Sequence, residues 1–451
     1  MDSNRGSFKH QRDVFELIKD QQYYALLLEP GLGKTKISLD TISYRMTKNN
    51  GQYLTLVVCP NTIVENWIEE SRKHTPHLRC VALTGTKARR IKELNKGYDI
   101  YVINYESVRV LARELTARGF DLIILDESTY VKNPKSLQSK FCFEISRQIK
   151  DKLILTGTPV MNNPLDIYGQ YRVLNPFIFG TNFYRFRSRY AVMGGYLDKQ
   201  VLKWVNMGEL RQKVLQCAVR LTKDECLDLP PKLYQVIHLE LPEEQERVYQ
   251  SLKDSFISEY RDTVVTAPIV LTRLMRFSQI TAGFTKDIGG QEHAFTTNPK
   301  AKWLVDFVQD LDPNRKVVAF CRFIHEIKSV ERALTQAGIS FVTVRGGTAE
   351  PINVVKHFNE DPTIRVFIGQ IRTAGIGINL TSASYTVFLS NSYSYGDRIQ
   401  AEDRIHRIGQ SRNVTYIDLL FKDTIDVSIH KALTKKQDLA NMVVGELINM
   451  V

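Results

Sequence analysis

No run of about 18 consecutive apolar residues occurs in the chain, so a membrane-spanning helix of ordinary length is not expected. The opening stretch, MDSNRGSFKHQRD, lacks the apolar centre of a secretory signal. Cysteine is sparse: Cys59, Cys80, Cys142, Cys217, Cys226 and Cys321 are scattered, with no C-x-x-C pair. That spacing argues against a zinc site or a disulfide framework and for reduced thiols. There is no low-complexity tail and no short-period repeat. Acidic residues are missing altogether between Ser71 and Lys92, where seven Lys and Arg residues fall.

The 451 residues exceed one ordinary core and suggest two or three domains, with a hydrophobic content of 43% typical of globular chains. The net charge of +12 favours polyanionic partners. A second basic segment, Thr181 to Glu225, holds nine basic against four acidic residues. Either basic stretch is equally readable as a solvated surface.

Two series of short apolar runs alternate with amphipathic stretches. The first is YYALLLE, YLTLVVCP, YDIYVINY, FDLIILDE and KLILTGTP; the second is KVVAFC, SFVTVRG, IRVFIGQI, YTVFLS and VTYIDLL. Near-continuous rather than alternating apolarity predicts strands buried on both faces of a parallel sheet. The spacing predicts helices over Lys34–Met46, Ile63–Lys73 and Asp254–Thr281. LDLPPKLY (227–234) reads as an extended connector, and Ile288–Pro299 as a surface loop. The fold expected is α/β: two doubly wound parallel-sheet lobes, 1–228 and 229–451. Helical insertions are expected at about 164–225 and 241–300, with a C-terminal helix at about 424–447.

EPGLGKT follows a predicted strand and opens a predicted helix, as a phosphate-binding loop must. Gly31, Leu32 and Gly33 form the loop, Lys34 reaches the β- and γ-phosphates, and Thr35 ligates Mg²⁺. Leu28 stands where the strict G-x-x-x-x-G-K-[ST] pattern has its first glycine. FDLIILDES carries Asp126 and Glu127 to a strand end, where an aspartate binds Mg²⁺ and a glutamate polarises the attacking water. An acidic strand-end turn is the plain alternative.

Residues 8–440 resemble the Swi/Snf-related branch of superfamily-two helicase-like ATPases. The blocks, in order, are FKHQ, EPGLGKT, VVCPNTIVENWIEE, VINYES, LDESTYVKNPKS, LTGTPVMNNPLDIYGQYRVLNP, AFCRF, VRGGT, RTAGIGINLTSASYTVFL and QAEDRIHRIGQ. The resemblance implies RecA-like lobes, a DNA-dependent ATPase, ATP and Mg²⁺ as cofactors, and double-stranded DNA as partner. It implies that Gln11 reads adenine and that Thr156 and Thr158 couple nucleotide state to DNA contact. It places Asn61, Thr62, Asn104 and Ser107 on phosphates of the tracked strand. In the second lobe it points to Arg322, Arg345, Gly347, Thr348, Arg372 and Thr373 as DNA contacts. Gly375 and Gly377, in the Gly-rich loop before YTVFLS, let backbone approach a nucleotide or a nucleic-acid phosphate. The family's DEAH is DEST here, with Ser128 and Thr129 in place of alanine and histidine.

YGDRIQAEDRIHRIGQ reads as a helix with Gln400, Arg404 and Arg407 on roughly one face. By itself this is a basic helix paired with its own Glu402 and Asp403; beside a phosphate loop and the resemblance, the arginines become fingers for the γ-phosphate. The resulting expectation is an ATP-dependent translocase on duplex DNA, including forks or junctions, of a compact bacterial or phage type. It would be monomeric and cytoplasmic (nuclear only in a eukaryote), and directed by DNA structure or a protein targeting partner. A strand-separating DNA or RNA helicase, or a nucleotide-gated binding module with little turnover, are the rival readings.

Overall fold

The structure, a computed structural model, describes residues 7–195, 200–227, 229–262, 267–287, 289–371 and 378–444. Two compact units divide the chain, Met1–Asp228 with Lys436–Val451, and Leu229–Lys435. No helix among the described residues is long and apolar enough to cross a membrane.

The first unit contains β1 (Tyr23–Leu28), β2 (Thr55–Cys59), β3 (Cys80–Ala82), β4 (Ile100–Asn104), β5 (Leu122–Asp126) and β6 (Asp151–Leu155). The segment expected to be a helical insertion also holds a hairpin, β7 (Ala191–Gly194) with β8 (Gln200–Trp204), and a last strand, β9 (Ala218–Leu221). The sheet order is β3-β4-β2-β5-β6-β1-β9, all parallel. Three-residue β3 and four-residue β9 are too short to show a period, and β9 is specified by pairing with β1, Ala25 opposite Ala218.

Register places the chemistry. Leu155 lies opposite both Leu26 and Asp126, so the phosphate loop, the Asp-Glu pair and the TGTP segment leave the sheet at one end. In open parallel sheets that carboxyl end is where ligands bind. Both faces of the strands are buried, as the unbroken apolar runs require.

The second unit contains β10 (Lys232–Leu239), β11 (Phe284–Lys286), β12 (Glu292–Ala294), β13 (Val317–Cys321), β14 (Phe341–Val344), β15 (Val366–Gln370), β16 (Tyr385–Phe388) and β17 (Val414–Phe421). Its sheet runs β10-β17-β16-β13-β15-β14, again parallel. Two readings are corrected here. The connector's second half is the start of edge strand β10, since two prolines favour extended backbone and Pro231 ends just where pairing begins. The supposed loop 288–299 carries β12, paired with β11 across a turn at Gly290 (φ 84°). The helices Glu243–Asp262 and Ala267–Thr281 precede it, and Ile425–Val444 closes the described chain.

All six cysteines are free. Burial pushes the Cys142 and Cys217 thiols up to about 12, so neither is an activated nucleophile.

One buried ion cluster anchors the helix Tyr395–Glu402 to the second sheet. Arg398 donates to Asp418 through both terminal nitrogens (2.5 and 2.9 Å) and to Glu402 through Nε (2.7 Å). Its guanidinium lies 3.6 Å from the centroid of the Phe388 ring. Tyr234 donates to the other Glu402 oxygen at 2.8 Å. Burial opposes the charge on Arg398, but Asp418 and Glu402 outweigh it and hold its pKa above the ordinary value. Replacing Arg398 with Met would strand two buried carboxylates, an expected loss of about 3–5 kcal/mol. Urea unfolding of the parent and variant measures it; a loss below about 1 kcal/mol would mean that the cluster adds little.

Candidate nucleotide and nucleic-acid sites

The phosphate loop is shaped by left-handed backbone at Gly31 (φ 92°) and Gly33 (φ 85°). A Cβ on Gly33 would sit 2.2 Å from Gln11 Nε2, so glycine is required there by contact as well as by dihedral. Gln11, 6% exposed on the helix Lys9–Ile18, donates to the Leu32 carbonyl at 3.4 Å and accepts from the Phe8 amide at 3.2 Å. The glutamine expected to read adenine is therefore set directly against the loop. Lys34 opens the helix Lys34–Lys48, and its ammonium donates to the Leu28 carbonyl at 2.8 Å. Thr35, half-buried, follows in the first turn of that helix.

Asp126 ends β5 at 5% exposure. Its Oδ2 accepts from Trp67 Nε1 at 2.8 Å and its Oδ1 from the Glu127 amide at 2.9 Å. Burial pushes its carboxyl up, and the nearby Lys34 charge, Trp67 and Glu127 N–H pull it back. Each oxygen keeps a lone pair after these bonds, and Thr35 adds a hydroxyl, a hard-oxygen donor set that suits Mg²⁺. Glu127 adopts left-handed backbone (φ 50°), which turns its side chain off the strand direction. Trp67 was not singled out from the sequence: W in IVENWIEE reads only as a core residue of the helix Val64–His74.

The DEST departure has a structural use. Ser128 donates to Gln170 Oε1 at 2.7 Å, and Gln170 Nε2 donates to the Pro159 carbonyl at 2.8 Å. Ser128 thus connects the Asp-Glu turn, through Gln170, to the last residue of TGTP. Thr156 is fully buried, and its hydroxyl accepts the Thr158 amide at 3.1 Å. A Cβ on Gly157 would meet Pro30 Cδ at 2.6 Å, so this segment presses on the entry to the phosphate loop.

The other first-unit candidates differ in access. Asn61 and Thr62 are exposed on the short helix Asn61–Ile63. Asn104, at the end of β4, donates to Glu106 at 2.8 Å. Ser107 is 4% exposed and its hydroxyl accepts from Arg90 at 2.6 Å. Arg90, the half-buried donor to that hydroxyl, is not named from the sequence.

In the second unit Arg322, Arg345 and Gln370 lie at the carboxyl ends of β13, β14 and β15. Gln370 Nε2 donates to the Arg322 carbonyl at 3.2 Å, a link the sequence did not disclose. The Thr348 hydroxyl accepts the Arg345 amide at 2.9 Å, closing a turn whose tip is the exposed Gly347 (φ 87°). Arg372, Thr373, Gly375 and Gly377 lie outside the described residues.

The arginine helix is shorter than its spacing suggested. Helix ends at Glu402, and Arg404 and Arg407 sit in the turns beyond it, so they share no helical face with Gln400. Tertiary hydrogen bonds outcompete the helix: the Arg404 carbonyl accepts from Leu380 N (2.9 Å), and His406 bonds the Pro230 carbonyl (2.8 Å). Ile405 and His406 are buried, and Gly409 (φ 100°) turns the chain before Gln410 bonds the Ala383 carbonyl at 2.9 Å. Gln400, Arg404 and Arg407 are all half-buried, and burial lowers the pKa of Arg407 against the pull of Asp403.

Comparison with known proteins gives two family matches: the SNF2-related domain over residues 18–282 and the helicase conserved C-terminal domain over 299–409. An uncharacterized ATP-dependent helicase of Mycoplasma genitalium is 27% identical over 98% of this chain and 42% of its own length. The mouse DNA annealing helicase and endonuclease ZRANB3 is 29% identical over 90% of this chain and 38% of its own. The chain thus spans less than half the length of these relatives. A solved structure, the Sulfolobus solfataricus SWI2/SNF2 ATPase core in complex with dsDNA, is 24% identical, covers 97% of this chain and 93% of that one, and has a TM-score of 0.47.

Trp67→Phe removes the side-chain donor that orients Asp126. It is expected to weaken ATP binding in the presence of Mg²⁺ by about tenfold, the usual size of a lost orienting bond behind a metal ligand. ATP binding in EDTA should not change. Calorimetric titration under both conditions measures the two affinities; equal Mg²⁺-dependent affinities would remove Trp67 from this role.

Proposed function

The chain belongs to the SNF2-related family, and from that membership we propose that it hydrolyses ATP to move along double-stranded DNA. The observation that carries the reading is the convergence of Gln11, Gly33, Lys34 and Asp126 at one end of the first sheet. Gln11 selects the base, the loop amides and Lys34 hold the phosphates, and Thr35 with Asp126 holds Mg²⁺. Mg²⁺ held by Thr35 and Asp126 would supply neutralisation of phosphate charge. Glu127 orients the attacking water and takes its proton.

Charge that builds on the γ-phosphate needs further cations, and Arg404 and Arg407 are assigned to it. Guanidinium groups suit a planar, bidentate phosphate contact better than ammonium does. Their place in a tightly bonded turn, rather than on a helix free to fray, supports a fixed geometry for that task. Asn61, Thr62, Asn104 and Arg90 of the first unit, with Arg322, Arg345 and Thr348 of the second, grip DNA phosphates. Such contacts carry no base information, so movement is independent of sequence and sensitive to salt. The Ser128–Gln170–Pro159 path joins the hydrolysis site to the TGTP segment and transmits nucleotide state to the grips. Forks, junctions and protein-bound duplexes are the substrates such a motor would remodel, with targeting by DNA structure or a partner protein.

Phosphate release measured with linear duplex, single strands, forks, four-way junctions and RNA tests this. Duplex-containing DNA should stimulate turnover, and Lys34→Ala should abolish it. Arg404→Ala and Arg407→Ala should each leave ATP binding largely intact while lowering stimulated turnover by about 10³-fold, the lower range for arginine fingers. Normal turnover by the Lys34 variant would remove the assigned site, and absence of duplex stimulation would favour a nucleotide-gated binding module.

A further inference from the structure

Two helices of the second unit, Pro299–Asp310 and Ile324–Gln336, lie on one face of its sheet. Ala301, Leu304 and Val308 of the first and Ile327, Val330 and Leu334 of the second belong to one core cluster. Asn298 ties them together: its Oδ1 caps the first helix by accepting the Ala301 amide (3.1 Å), and its Nδ2 donates to Ser329 of the second (3.1 Å). Between them runs a groove of about 390 Å³, lined also by residues that follow β12.

The floor and rim of this groove differ in character. Phe295, Ala301, Val305 and Ala333 give it an apolar floor. Lys302 and Arg332, one on each helix, are exposed charges at its rim, and no carboxylate lines it. Neither cation has an ion-pair partner among the described residues. Of the nearby carboxylates, Glu292 is engaged by Lys286 (2.9 Å) and Glu244 by the Thr296 amide (3.1 Å), while Asp306, exposed one helical turn beyond Lys302, forms no ion pair with it. His325, which also lines the groove, stacks on Phe284 and keeps a buried Nδ1 without a hydrogen-bond partner.

We propose that this groove docks an acidic peptide segment that also carries apolar side chains, supplied by a partner protein. Two cations without ion-pair partners, one on each helix, suit carboxylates spaced along a chain. An apolar floor gives nothing to a sugar-phosphate backbone but buries Leu- or Phe-like side chains, the usual source of affinity in helix-lined grooves. Lys302 and Arg332 then set the sign of the partner and the floor sets its grip. The site takes no part in the nucleotide chemistry assigned above, and it adds a way for another protein to recruit or restrain the motor.

Selection of random peptides displayed on phage, on the full chain and on a Lys302→Glu, Arg332→Glu variant, tests this directly. Both side chains are exposed and unpaired, so the reversal leaves the fold intact, which circular dichroism checks. Peptides enriched on the parent should be net acidic with apolar residues and should bind the variant at least about tenfold more weakly by fluorescence anisotropy, equivalent to 1.4 kcal/mol. Duplex DNA affinity and DNA-stimulated phosphate release should be unchanged in the variant, which separates failure here from failure of the motor assignment. Recovery of no acidic peptides, equal binding to both proteins, or a loss confined to DNA affinity would each overturn the proposal.

Discussion

Asp126 keeps a carboxylate at the end of a parallel strand with little access to water, and the first unit is arranged around that cost. Burying a charge is unfavourable unless donors or counter-charges accompany it. Here Trp67, the Glu127 amide and the charge of Lys34 do so in part, and the carboxyl still stands above its ordinary pKa. Under the proposed function, a divalent cation would complete the compensation at this place. The same register that ends β5 at Asp126 ends β1 at the phosphate loop and β6 at TGTP, so one alignment of three strands assembles the site.

The second unit solves a related problem with the opposite emphasis. Its buried charge cluster, Arg398 with Asp418 and Glu402, is complete within the protein and serves to fix a helix and the turns that follow it. Removing Arg398 would leave both carboxylates uncompensated, so this one guanidinium ties the stretch that carries Gln400, Arg404 and Arg407 to the sheet. The complete cluster holds a backbone, and the partly compensated Asp126 is the group to which the proposed function assigns a cation.

Much of this was legible in the residues. The long strands were plain because burial on both faces leaves unbroken apolar runs, and EPGLGKT and LDES identified themselves by position on a strand end. Gln11 needed the family resemblance, for nothing local marks one glutamine of an N-terminal helix. Contacts between residues far apart in the chain leave no local signal. Trp67 reaches Asp126, Ser128 reaches Gln170, Arg90 reaches Ser107 and Gln370 reaches Arg322 only through the fold. The short strands β3, β9 and β12 owe their existence to their neighbours rather than to their own pattern. The arginine stretch misled in the other direction: its i, i+3 spacing is good helix, but Leu380 and Pro230 claim its backbone and side-chain hydrogen bonds.

In the proposed function, hydrolysis at this site drives travel along an intact duplex. Its most direct measurement follows a fluorescent third strand bound to a duplex, alongside a labelled strand within a plain duplex, with protein and ATP present. Travel along the duplex gives ATP-dependent release of the third strand while the duplex strands stay paired. Separation of the plain duplex without release of the third strand would contradict it and identify an unwinding helicase instead.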